Sequence, residues 1–218
     1  MTIQITLEHR RLQLSQEEQA LAKAATSRNA LRREFKAQIA DRRLTYAPVS
    51  VFQLRRDTLK RMISKYSEQL VYRPLEEMQY WFTYSSGAFI EPGYQPLYYL
   101  RSEGRVITPN KSAIAGIGEG VAGFLAQRFY HCRKLARPNH DYPDIVMGGS
   151  GNTYLIESKA TTGSAMEAQQ VIEEEVARMA VYTSACAELD SRPVVGVLVG
   201  TALMSETDYR CYMTEVAV

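Results

Sequence analysis

The run Tyr142-Pro143-Asp144-Ile145-Val146-Met147, then Gly148-Gly149-Ser150-Gly151-Asn152, then Thr153-Tyr154-Leu155-Ile156-Glu157-Ser158-Lys159 carries the strongest structural signal in the chain. Two apolar segments flank a cluster of glycine, serine and asparagine, which predicts a β-hairpin. With a five-residue turn, 148–152, centred on Ser150, Asp144 falls opposite residue 156, within one position of Glu157. Strand side chains alternate between faces, so Glu157 and Lys159 share one. Two carboxylates and an ammonium group are therefore expected to meet at one end of a buried hairpin.

The elements around the hairpin follow from periodicity and punctuation. A helix is predicted from Ser112 to about Phe129. A helix from Ser164 to about Leu189 follows the hairpin, then a fully apolar strand at Val194–Val199 and a last strand over Tyr209–Val218. Upstream, Tyr94–Leu100 and Arg105–Thr108 form two strand candidates around Ser102-Glu103-Gly104. At the N-terminus Ile3, Ile5 and Leu7 alternate with polar residues, as in a short strand or extended arm. Ser15 and Glu18 have capping-box spacing. The stretch from there to about Leu44 lacks Gly and Pro, which predicts one long helix, ended at Pro48. Further helices are predicted from Ser50 to Leu70 and from Pro74 to Tyr84. Gly and Pro cluster near Ser86–Pro92, so the expected organisation is a basic helical region over 1–88 and an α/β domain over 89–218.

Composition narrows the function classes. The 218 residues are 45% hydrophobic and 23% charged, which suits a folded protein with a sizeable core. No apolar run approaches a membrane span. The first residues lack a basic start and an apolar stretch, so export by a signal peptide is not expected. Cys132, Cys186 and Cys211 are widely spaced, without a C-x-x-C, which favours a reducing cytoplasm over a disulfide framework. The net charge of +2 is unevenly spread: residues 1–65 carry 14 Lys and Arg against 6 Asp and Glu, and residues 66–218 carry 12 against 18. A basic front suits an anionic partner such as nucleic acid, and equally a solvated helix face or a dimer arm.

Burying two carboxylates is costly unless they are paired or bind a metal. Asp144, Glu157 and the backbone carbonyl of Ser158 offer hard oxygens suited to Mg2+ or Mn2+. A metal there polarises a phosphodiester and acidifies a bound water. Lys159 beside it can orient that water or offset charge in the transition state. The plain alternative is a strand-end salt bridge between Lys159 and Glu157 or Asp144.

The arrangement Pro143-Asp144, twelve residues, Glu157-x-Lys159 resembles the signature of the PD-(D/E)xK nuclease superfamily. That resemblance implies a restriction-endonuclease-like αβββαβ core with a mixed sheet over about residues 112–201, behind a helical N-terminal region. It implies metal-dependent hydrolysis of DNA, in restriction, phage defence, repair or a toxin system. Many relatives carry a Glu on the helix before the first core strand, and Glu119 matches that position. The helix after the motif often faces substrate in relatives, which points to Gln169 and Gln170. Some exonuclease branches place a Tyr four residues from such a Gln, and this chain does not. The resemblance implies Asp144, Glu157, Ser158 and Glu119 around the metal, with Lys159 catalytic. Arg32, Arg33, Lys36, Arg55, Arg56 and Lys60 are candidates for gripping phosphates. A homodimer, a larger complex or an inhibitory protein would be natural partners. The reading of a different class is a non-catalytic subunit that binds nucleic acid or protein within a larger DNA-processing complex.

Other patterns carry less. Glu34-Phe35-Lys36 repeats Glu-x-Lys inside a predicted helix and is a solvated face. Gly118-Glu119-Gly120-Val121-Ala122-Gly123 fits G-x-G-x-x-G, yet no apolar strand precedes it, so a small-residue packing face is the better account. His131, Cys132 and His140 lack the spacing of a zinc site. The aromatics concentrated in residues 66–99 suit a core or a protein interface, with base stacking as the rarer use.

Overall fold

A computed structural model of the chain describes residues 2–42, 44–85, 108–138 and 142–218. Seven strands form one open mixed sheet in the order β2-β1-β7-β6-β5-β4-β3. They are β1 (Thr2–Gln13), β2 (Ala47–Arg55), β3 (Arg133–Ala136), β4 (Ile145–Gly149), β5 (Asn152–Thr161), β6 (Val194–Leu203) and β7 (Asp208–Ala217). Among the described residues six helices flank it: α1 (Gln16–Ala24), α2 (Asn29–Ala40), α3 (Arg56–Tyr66), α4 (Pro74–Ser85), α5 (Lys111–Tyr130) and α6 (Ala165–Cys186). None of them is long and apolar enough to cross a membrane.

The hairpin is tighter than its sequence suggests. Gly149 pairs with Asn152, and Ile145 with Ile156. The turn is therefore Ser150-Gly151, both at positive φ, 51° and 80°, the geometry of a two-residue type I′ connection. Gly148 and Gly149 belong to the strand, where a side chain on Gly149 would meet the backbone of His131 and Cys132. One more step along this register sets Asp144 opposite Glu157.

Alternation distributes the apolar residues over two cores. Ile145, Met147, Tyr154, Ile156, Val197 and Val199 face α5, with α3 and α4 behind it. Leu155, Val194 and Leu198 face α6, with α1 and α2 packed on it. Each such large side chain contributes roughly 1.5–3 kcal/mol when removed from water. Strands β5 and β6 are parallel, joined by α6, and β4–β5 and β3–β4 are antiparallel. The elements α5-β3-β4-β5-α6-β6 thus follow one another as helix, three antiparallel strands, helix and a parallel strand.

The N-terminal region departs from the expected helical appendage. Strand β1 lies inside the sheet, pairing parallel with β7 from Gln4–Asp208 to Gln13–Ala217 and antiparallel with β2. Its odd positions (Ile3, Ile5, Leu7) fill the α5-side core and its even positions (Leu12, and Leu14 just beyond) the α6-side core. Residues 50–55, expected to be helical, form the edge strand β2 instead. Val49 and Val51 are exposed on it and Leu54 is buried, a period of two that β-branched residues suit. Pro48 lies in β2 at the irregularity opposite Leu7/Glu8, an edge position where no ladder N–H is required. The expected long helix over 15–44 is two. Ser15 and Glu18 do form the capping box, but the chain turns at residues 25–27 and restarts at Asn29, so that α1 and α2 both lie on α6. The strand candidates at 94–100 and 105–107, the boundary near 86–92 and His140 lie outside the described residues.

Glycines seat α5. A side chain on Gly118 would meet Ala160 and Ser158 of β5, one on Gly120 the backbone of Ile63, and one on Gly123 the ring of Tyr66. The G-x-G-x-x-G pattern is a packing face, and the close approach at Gly118 brings the neighbouring Glu119 down to the hairpin.

Candidate active site

At the open end of the hairpin the main-chain ladder gives way to side chains. The Asp144 amide donates to Glu157 Oε2 at 3.2 Å, and the Ser158 amide donates to Asp144 Oδ2 at 2.8 Å. Each carboxylate is held by the backbone beside the other. Lys159 donates to Glu157 Oε1 at 2.7 Å. The sequence prediction that Asp144, Glu157 and Lys159 meet therefore holds in this geometry. Glu157 is buried, while the Lys159 side chain keeps about a third of its surface open (34%).

The electrostatics follow from burial. Loss of water pushes Asp144 up to about 6, against the Ser158 amide and with repulsion from Glu119 adding to it. Burial, and then the charge of Asp144, push Glu157 up to about 7. Burial disfavours the Lys159 charge, yet the bond to Glu157 and the surrounding carboxylates leave its pKa above the ordinary lysine value. Two acids that resist ionisation beside one firmly protonated amine form a cluster that an added cation relieves.

Glu119 is placed close enough to act on Asp144, but its oxygens are engaged elsewhere. Oε2 accepts from the Glu68 amide at 3.0 Å and from Arg137 at 3.1 Å, and Oε1 from Gln69 at 3.4 Å. Arg137 also donates to Glu68 at 2.8 Å and to the Tyr66 carbonyl. Glu119, its side chain only 5% exposed, thus clamps the loop after α3 through Arg137. In this structure the expected catalytic carboxylate sits in a buried ion pair, as an acid on the interior face of α5 requires a counter-charge. Among the described residues no three His, Cys, Asp or Glu side chains form a ready-made metal site. Asp144 and Glu157 remain as a two-carboxylate donor set, which fits Mg2+, an ion commonly held by one or two carboxylates and several waters.

Two further residues escaped sequence reasoning. Tyr142 is 1% exposed, its ring tilted against that of Tyr182 and covered by the Arg178 guanidinium, 4.1 Å from its ring centre. Glu175 of α6 acts electrostatically on Glu157, Lys159 and Tyr142. Nothing in the local pattern marks either. Tyr142 looks like a core aromatic, and Glu175 ends the run Glu173-Glu174-Glu175, of which 173 and 174 are exposed. Arg137 likewise lies beyond β3, outside any periodic segment.

The basic candidates divide between the two faces of the sheet. On α3, Lys60 donates to Glu76 at 2.6 Å and Arg56 to Gln79 at 3.0 Å; Arg55 is exposed. On α2, Arg32 donates to the carbonyls of Ala25 and Thr26, while Arg33 and Lys36 are exposed. Gln169 is half-buried and Gln170 exposed on α6. A cavity of about 410 Å³ lined by Arg32, Phe35, Lys36, Glu175, Arg178 and Tyr182 lies on the α6 side. A groove of about 650 Å³ follows residues 67–76 on the other. Asp144, Glu157 and Lys159 line neither.

Comparisons with protein-family models, with curated proteins and with solved structures give no significant match.

Proposed function

We propose that the chain is a Mg2+- or Mn2+-dependent nuclease of PD-(D/E)xK type that hydrolyses DNA phosphodiester bonds. The observation that carries this reading is the reciprocal hold of Asp144 and Glu157 at the hairpin end, with Lys159 on Glu157. The succession α5-β3-β4-β5-α6-β6 supports a restriction-endonuclease-like core around it.

Asp144, Glu157 and the Ser158 carbonyl would hold the cation, which supplies Lewis acidity at the phosphate and a more acidic water. The Asp144 and Ser158 amides fix one oxygen of each carboxylate. Lys159 places a positive charge beside the attacking water, where it orients the water's lone pair toward phosphorus and offsets negative charge as the P–O bond to the leaving group breaks. Glu119 acts through the Arg137 clamp, holding the loop after α3 against α5. The exposed Arg33 and Lys36 of α2 are the better candidates for gripping phosphates, since Arg56 and Lys60 of α3 are already tied to α4.

Cleavage of supercoiled and linear DNA with Mg2+, Mn2+ or EDTA tests the reading. The expected result is metal-dependent cutting that disappears in Asp144→Ala, Glu157→Ala and Lys159→Ala. The second reading, a non-catalytic subunit of a DNA-processing complex, draws on the Lys159–Glu157 ion pair, which already satisfies both charges. It gains if the wild type neither cuts nor binds metal by calorimetry.

A further inference from the structure

Beside the Glu157–Lys159 pair are two polar atoms without a hydrogen bond. The Tyr142 hydroxyl is buried and unpartnered, and the charges acting on it most strongly are those of Glu157 and then Glu175. Glu175 Oε2 is buried and makes no hydrogen bond; Arg178 approaches it only to 3.8 Å. One is a neutral donor and the other an ionic acceptor. Tyr142 precedes Asp144 by two residues, and Glu175 lies within electrostatic reach of Glu157 and Lys159. A buried phenol and carboxylate left idle are costly, and such atoms commonly serve a second state of the site.

The chemistry of the pair identifies that state. Lys159 occupies Glu157 Oε1. That oxygen has a second lone pair, but a cation on Glu157 would repel the ammonium group held there. When Glu157 turns to a cation, Lys159 loses its partner and requires another carboxylate. After Glu157, Glu175 is the acid that acts most strongly on Lys159, and its Oε2, in a long ion pair with Arg178, accepts no hydrogen bond. We infer that Glu175 is the alternate anchor of Lys159, taking the ammonium from Glu157 while the Tyr142 hydroxyl donates to the Glu157 oxygen so released. Both are positioning residues. The inference deepens the nuclease reading and rests on it for its catalytic meaning, but the exchange of partners is a property of the side chains themselves.

The test therefore has an arm that needs no activity. In a double-mutant cycle of thermal unfolding without metal, Glu175→Gln is expected to change the melting temperature by less than about 1 °C in the wild type, where Lys159 sits on Glu157. In a Glu157→Gln background, where Lys159 depends on Glu175, the same change is expected to lower it by about 3 °C or more. Additive effects, or a coupling that persists unchanged in a Lys159→Met background, would overturn the inference, whatever the activity of the protein. In the second arm, Glu175→Gln is expected to lower kcat for plasmid cleavage about tenfold with Mg2+ affinity by calorimetry unchanged within about twofold, and Glu175→Asp to restore part of it. Tyr142→Phe is expected to lower kcat about threefold and leave KM unchanged. A Glu175→Gln variant that loses Mg2+ binding as Glu157→Gln does would make Glu175 a ligand instead and overturn the anchor. Absence of cleavage by the wild type, alongside a coupled cycle, would sink the nuclease reading and leave the exchange standing.

Discussion

The chain contains Glu-x-Lys twice, and the two copies behave differently. Glu34-Phe35-Lys36 lies on α2, where residues two apart point in nearly opposite directions around the helix. Phe35 is buried between an exposed Glu34 and an exposed Lys36. Glu157-Ser158-Lys159 lies on β5, where the same spacing puts both charges on one face and 2.7 Å apart. A strand opposite then adds Asp144. The lesson is that the motif has no chemistry of its own. The backbone period decides whether its charges meet, and the sheet decides whether they are dry.

Substitutions separate the two copies most strongly in activity. Glu157→Ala and Lys159→Ala are each expected to reduce metal-dependent plasmid cleavage by about 10³-fold or more, the scale of losing a group that acts on the reacting atoms. Glu34→Ala is expected to stay within about twofold of the wild type. Equal losses at 34 and 157 in the same cleavage assay would abolish the distinction.

The next largest effect is expected from the clamp that flanks the second copy. Arg137→Ala leaves Glu119 and its buried carboxylate without a counter-charge, and denaturant unfolding should register a loss of about 3 kcal/mol. The exposed Glu34, by contrast, should show almost no change on substitution.

The pH dependence of stability offers a finer separation. Folded-state pKa values of about 6 for Asp144 and about 7 for Glu157 lie above those of an unfolded chain. The native state therefore binds more protons than the unfolded one between about pH 4 and 7. The contribution of this pair is present at low pH and is lost as pH rises through 6 to 7. Asp144→Asn at pH 8 in EDTA should accordingly raise the melting temperature by about 2–4 °C, the shift that 1 kcal/mol gives at this size. Added Mg2+ should raise the wild type toward the variant. A fall in melting temperature for Asp144→Asn would show that the carboxylate stabilises the fold.

The smallest effect concerns the helix that bears the first copy. A double Arg33→Ala, Lys36→Ala change is expected to raise KM for DNA by about threefold to tenfold at low salt, with the difference from the wild type shrinking as salt rises, whereas Arg56→Ala with Lys60→Ala moves it less. Binding measured across a salt series distinguishes the two helices.

Legibility in the sequence tracked the range of the interactions involved. The β4–β5 hairpin, α5, α6 and β6 were readable because period, caps and turn residues are local. The turn length was missed because Gly148 and Gly149 resemble turn residues, and only the neighbouring His131–Cys132 backbone explains them as strand residues. Strand β2 was taken for a helix because its formation depends on β1 more than forty residues earlier. Within the site, Asp144, Glu157 and Lys159 were legible from spacing alone. Arg137, Tyr142 and Glu175 were not, because each gains its meaning from a contact across elements. The loop after α3, for instance, offers Glu119 the Glu68 backbone amide and the Gln69 side-chain amide for reasons no window of sequence contains.

The parallel pairing of β1 with β7 has a bearing on synthesis. During translation β1 emerges first, while the strand that covers its inner edge, from Asp208 onward, emerges last. Until then the ribosome-bound chain can pair β1 only with β2 among its present sheet neighbours, leaving an open edge and Ile3, Ile5, Leu7 and Leu12 in need of shelter. The local hairpin that carries Asp144 and Glu157 has no such wait, and the long-range β1–β7 pairing is expected to form later than the hairpin. A nascent chain arrested before residue 208 should engage chaperones that protect exposed strands, and release them once β7 slots into place.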